Sequence, residues 1–90
     1  MEIKTEKLTE KQIKELNIKS WPVWEKEESK FNWFYDQEER CYFLEGEVEI
    51  TFNGKKTKIK KGDYVVFPKG LSCEWNILKK VKKHYSFKPL

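Results

Sequence analysis

The dipeptide Asn53-Gly54 constrains this chain more than any other feature. Asn-Gly is the preferred pair for a two-residue type I′ turn, whose twist matches that of two antiparallel strands. The flanking residues alternate as such strands require. With the turn at 53–54, Phe52 faces Lys55, Ile50 faces Thr57 and Val48 faces Ile59, so one face is largely apolar. The other face sets Glu49 against Lys58 and Glu47 against Lys60. Such opposite-charge pairs contribute about 0.2–1 kcal/mol each. Turn chemistry and alternation agree, which fixes a hairpin over residues 47–60.

The rest of the chain reads in the same way. Pro22 keeps Trp21 to Trp24 extended. Phe31 to Tyr35 is aromatic and β-prone, and Asp36 to Glu39 turns the chain. Cys41 to Leu44 forms a short strand that ends at Gly46. Tyr64 to Phe67 lies between the turns Lys61-Gly62-Asp63 and Pro68-Lys69-Gly70, and Ser72 to Leu78 and Val81 to Phe87 are the last strands. Upstream, residues 1–8 suit an edge strand. Thr9 and Gln12 form a capping-box pair that opens a helix over residues 9–16, with Ile13 and Leu16 on one face. This helix is placed to act as a lid or plug for an open barrel end. Short strands, regular turns and no βαβ rhythm predict one all-β domain, with an arm over 1–20 and a barrel over 21–90.

Composition supports this and narrows the partners. A chain of 90 residues has a modest core, and four Trp, four Tyr and six Phe supply the apolar area it needs. The net charge is +4, yet eighteen of the nineteen cations are lysines spread among fifteen acids. A nucleic-acid surface concentrates charge and favours arginine, so that partner class is not expected. No apolar run approaches the ~20 residues of a membrane span. The charged start Met1-Glu2-Ile3-Lys4 is unlike a leader, and a cytoplasmic protein is expected. Cys41 and Cys73 are too few for a disulfide framework.

Two stretches resemble the paired motifs of cupins. Glu39-Arg40-Cys41-Tyr42-Phe43-Leu44-Glu45-Gly46 resembles the end of the first motif. Gly62-Asp63-Tyr64-Val65-Val66-Phe67-Pro68-Lys69-Gly70 resembles the second. Their order about a hairpin makes the pair specific. Flanking residues (Trp21-Pro-Val-Trp24-Glu25, Phe31-x-Trp33-x-Tyr35, Leu71-x-Cys73-x-Trp75 and Lys83-His84-Tyr85) are similar to small cupins related to (S)-ureidoglycine aminohydrolase. The resemblance implies a double-stranded β-helix, or jelly-roll barrel, often dimeric, with a pocket in its mouth. It also implies a metal site that this chain departs from. Trp33 and Tyr35 stand at the His-x-His positions, Cys73 at the third histidine and Ile77 at the asparagine. The standard three-histidine metal site is absent, and only Glu39 and Cys73 remain as metal candidates, two donors short of a tetrahedral shell.

Strand parity from these positions turns Glu39, Cys41, Cys73, Trp75, Lys83 and Tyr85 inward, beside Trp33 and Tyr35. A carboxylate among aromatics needs a partner, and Lys83 is the obvious one. Glu39, Cys73 and Lys83 are the candidate acid–base residues; Trp33, Tyr35, Cys41, Trp75 and Tyr85 are the candidate substrate contacts. A cysteine near Lys83 would have a lowered pKa. His84, the only histidine, points away from the pocket, to the surface or an interface. The expected function is binding of a small polar or anionic molecule in the barrel. The alternatives are a metal-dependent cupin enzyme, and a non-enzymatic dimeric interaction module in which Trp21 and Trp24 seal a homodimer.

Overall fold

A computed structural model describes residues 1–87, so positions 88–90 of the expected barrel lie outside the described residues. In chain order the elements are β1 (Lys4–Lys7), α1 (Glu10–Glu15), a 3-10 turn (Ile18–Ser20), β2 (Val23–Lys26), β3 (Ser29–Phe34), β4 (Glu39–Phe52), β5 (Lys55–Lys60), β6 (Asp63–Phe67) and β7 (Ser72–Ser86). The sheet runs β1-β6-β4-β7-β2, with β5 added to β4 and β3 to β7. It rolls around one main apolar core, a β-barrel as expected. No helix among the described residues is long and apolar enough to cross a membrane.

The β4–β5 hairpin has the expected register from Glu47↔Lys60 to Phe52↔Lys55. Asn53 (φ 52°) and Gly54 (φ 77°) both take the positive φ that a type I′ turn demands. The strand expected to stop at Gly46 does not stop there. β4 continues for fourteen residues and β7 for fifteen, where two shorter strands were expected in each place. The register between them shifts at Phe43/Glu45, Glu45/Glu47 and Glu47/Val48, so the pair bends without breaking. Gly46 sits at this bulge with φ 102°, and a Cβ there would lie 2.5 Å from the Lys80 carbonyl oxygen and 2.8 Å from Val81 Cα. Glycine marks the bend, not an end.

Alternation along β4, β6 and β7 sorts the two faces. Cys41, Phe43, Val48, Ile50, Val65, Phe67, Trp75 and Val81 enter the barrel core. Tyr42, Tyr64 and Val66 point outward, where α1 and the 3-10 turn cover them with Ile13 and Ile18. The helix thus packs on the outer wall and is no lid: its apolar residues match the outward apolar residues of β4 and β6. Its capping box forms as expected, Gln12 N donating to Thr9 Oγ1 at 3.2 Å and Thr9 N to Gln12 Oε1 at 2.8 Å. β1 is the expected edge strand, paired along β6.

Candidate functional site

Three strands converge on one ammonium group. β4 opens with Glu39 and carries Cys41 on the same face, and its register with β7 places Cys41 opposite Tyr85 and Phe43 opposite Lys83. On the other side of β7, β2 sets Trp24 opposite Lys83. Lys83 Nζ therefore lies 3.3 Å from both Glu39 oxygens and 3.3 Å from Cys41 Sγ. Four rings complete the enclosure: Trp75 at 4.7 Å, Trp24 at 4.9 Å, Phe43 at 5.8 Å and Phe67 at 5.9 Å from Nζ to centroid. Glu39 and Lys83 are only 5% and 4% exposed.

Burial alone would push the Lys83 ammonium toward neutrality. The adjacent Cys41 sulfur and Glu39 carboxylate outweigh it and hold the pKa above the ordinary lysine value. Lys83 is thus held as the cationic partner of Glu39. The expectation of a lowered cysteine pKa beside it fails. Burial pushes the Cys41 thiol up, and the opposing pull of Lys83 is smaller. Burial likewise takes Cys73 up to about 11, against the effect of the neighbouring Trp75 indole. Both cysteines are free and buried. Tyr35, stacked on Phe67 at 4.9 Å and 8°, has its hydroxyl pKa raised by burial and then by the charge of Glu39.

Above this floor opens a cavity of about 600 Å³, a size usual for small-ligand sites. Tyr35, Glu39, Trp75 and Lys83 are its buried residues; Trp24, Phe31 and Tyr85 are half-buried walls; Lys26, Lys30, Trp33 and Phe87 are exposed at the rim. Seven of the twelve described lining residues are aromatic. Trp75 is central, with Phe31 stacked on it (5.9 Å, 13°) and Trp24 edge-on (5.9 Å, 73°). Its Nε1 is buried and, among the described residues, makes no hydrogen bond of good geometry.

Most of the expected site residues meet here, with two departures. Cys41 lies behind the cavity, fully buried against Lys83. Cys73 faces a neighbouring depression beside Asn32, Phe34 and Phe52. The β3–β7 register sets it opposite Trp33, whose side chain borders both hollows. His84 points away from the cavity as expected, but it is half-buried and held, with Nδ1 2.9 Å from the Trp21 carbonyl oxygen. A carbonyl only accepts, so Nδ1 carries the proton. Trp21 and Trp24 are half-buried too, each packed on a cluster of its own chain. Trp24, Phe31, Lys26, Lys30 and Phe87 were missed as site residues. The alternation Phe31-x-Trp33-x-Tyr35 already placed Phe31 on the right face. Nothing in the sequence marks the pairing of β2 with β7 that delivers Trp24.

A metal does not fit this site. Among the described residues no group of three or more His, Cys, Asp or Glu is placed to hold one. The one motif carboxylate, Glu39, is already engaged by the Lys83 ammonium, itself a cation.

The EutQ-like cupin domain pattern matches residues 13–85. The chain belongs to the EutQ-like cupin family. This EutQ-like cupin is similar to a DUF861 family protein from Thermotoga maritima, at 55% identity and TM-score 0.94, covering 97% of this chain and 100% of that one. It is also similar to the EutQ protein of Clostridium difficile, at 22% identity and TM-score 0.66, covering 92% of this chain and 59% of that one. A putative ethanolamine utilization protein Q from Salmonella typhimurium matches at 24% identity and TM-score 0.66, over 92% of this chain and 66% of that one. The last two likenesses are of fold. Among curated proteins none matches this EutQ-like cupin.

Proposed function

We propose that this EutQ-like cupin binds a small polar or anionic molecule in its barrel cavity, with the Glu39–Lys83 pair as the polar floor. The observation that carries the reading is a buried ion pair at the bottom of an open aromatic cavity of about 600 Å³. A buried pair adds little to stability, because desolvation offsets the attraction. Set at the base of such a cavity, the pair instead suits a ligand site by deciding which end of a ligand can face inward.

The test is a panel of small carboxylates, amides and sugars, read by tryptophan fluorescence and thermal shift. Trp24 and Trp75 line the cavity, so occupancy changes their emission. Saturable binding that weakens in Phe31→Ala supports the reading. A panel without a single binder, or binding indifferent to Phe31→Ala and Trp24→Leu, overturns it. The finer likeness to (S)-ureidoglycine aminohydrolase cupins rests on the flanking aromatic and cysteine residues, and release of ammonia from small ureido and amino acids is its assay.

A further inference from the structure

Resting on that cavity reading, we infer that the occupant is a planar aromatic carboxylate, held with its ring inward on Trp75 and its carboxylate outward beside Lys26 and Lys30. The floor decides the orientation. An ammonium has three N–H donors. Those of Lys83 face the Glu39 oxygens and the Cys41 sulfur, all at 3.3 Å, and the enclosing rings. Among the described residues no cation at the floor is left for a ligand. A carboxylate driven inward would meet the Glu39 carboxylate instead, and like charges at close range repel. An uncharged ring meets no such penalty.

The walls favour that ring. Trp75 is flanked by Phe31 in parallel and Trp24 edge-on, so flat aromatic surface lines the approach to the floor. The free positive charge stands at the rim. Lys26 Nζ lies 5.4 Å over the Phe31 ring and makes no ion pair among the described residues. Lys30 is held only by the exposed Glu74, at 3.7 Å. Among the acids that flank Lys26 in sequence, Glu27 is drawn off to Lys80 at 3.4 Å. The cavity therefore runs from a self-neutralised floor through aromatic walls to a basic mouth.

Isothermal titration at low ionic strength tests this with indole-3-acetate, its uncharged analogue indole-3-acetamide, and acetate. Indole-3-acetate is expected to bind tighter than the amide by up to about fivefold, the upper end for an exposed ion pair. The advantage shrinks in 0.5 M salt. Lys26→Gln with Lys30→Gln abolishes the acid's advantage over the amide; acetate gives no binding. Equal affinity for acid and amide, or an advantage that persists in the double variant, overturns the orientation while the cavity reading stands. Binding of acetate or of sugars in preference to the indoles overturns the aromatic class, again without touching the cavity reading. No binding by these probes or by the wider panel removes both.

Discussion

Replacing Lys83 by methionine is the sharpest probe of the floor. The ammonium lies 3.3 Å from the Glu39 carboxylate with both side chains almost fully buried. At an effective dielectric near 20 this separation gives an attraction of about 5 kcal/mol. Desolvation removes several kcal/mol for each ion, so the intact pair nets out near zero. Lys83→Met deletes the attraction and leaves the carboxylate without a counter-ion, while methionine keeps the volume among Trp24, Phe43 and Trp75. The expected loss is about 3–5 kcal/mol, a large share of what a domain of this size possesses. Combining it with Glu39→Leu removes both charges and returns stability to the parent's level or above. Urea unfolding at pH 7, followed by tryptophan fluorescence, measures each step. A single variant that loses less than about 1 kcal/mol, or a double variant as unstable as the single one, would refute the sealed pair.

Alkali should unfold the protein in a defined order of cause. The raised pKa values of Cys41, Cys73, Tyr35 and Lys83 all mean that the folded state holds its protons longer than the unfolded one. Each contribution is complete well below the group's ordinary value and is lost as pH rises past it, from 9.0 for the thiols, 10.0 for Tyr35 and 10.5 for Lys83. Cys41→Ala should flatten the fall between pH 9 and 10, as seen by chemical denaturation at each pH. For the same reason neither thiol of the native protein should react promptly with a disulfide reagent at pH 8, and both should once urea is added. Gly46→Ala meets both a positive φ and the β7 backbone, and should lose more than about 3 kcal/mol. Gly54→Ala has open space around it and should lose only the backbone strain of about 1–2 kcal/mol. Equal losses at the two glycines would contradict the bulge account.

The hairpin, the capping box and the inward set Glu39, Cys41, Trp75, Lys83 and Tyr85 were legible because they follow from local rules: a turn pair, a three-residue spacing, a period of two. The Glu39–Lys83 pair was legible from charge alone, since each needed the other. What escaped depends on contacts between distant segments. The pairing of β2 with β7 brings Trp24 to Lys83, and no pattern in either strand announces it. The rim lysines look like any others in a lysine-rich chain. Gly46 read as a stop because a glycine in a strand signals either an end or a bulge, and only the closeness of Lys80 and Val81 decides between them. The direction of the Cys41 shift turned on depth: complete burial outweighs the pull of the neighbouring Lys83.

The long pairing of β4 with β7 also sets the order in which the molecule assembles. Its contacts join Arg40 to Ser86 at one end and Thr51 to Glu74 at the other, while the β4–β5 hairpin needs only its own two-residue turn. A hairpin forms in microseconds, whereas closing a loop of this span is entropically expensive and slows folding. Glu39 and Lys83 are 44 residues apart, so neither meets its counter-charge until that closure. The binding floor is accordingly among the last parts of the protein to exist, and recovery of ligand affinity during refolding should lag behind the growth of β structure.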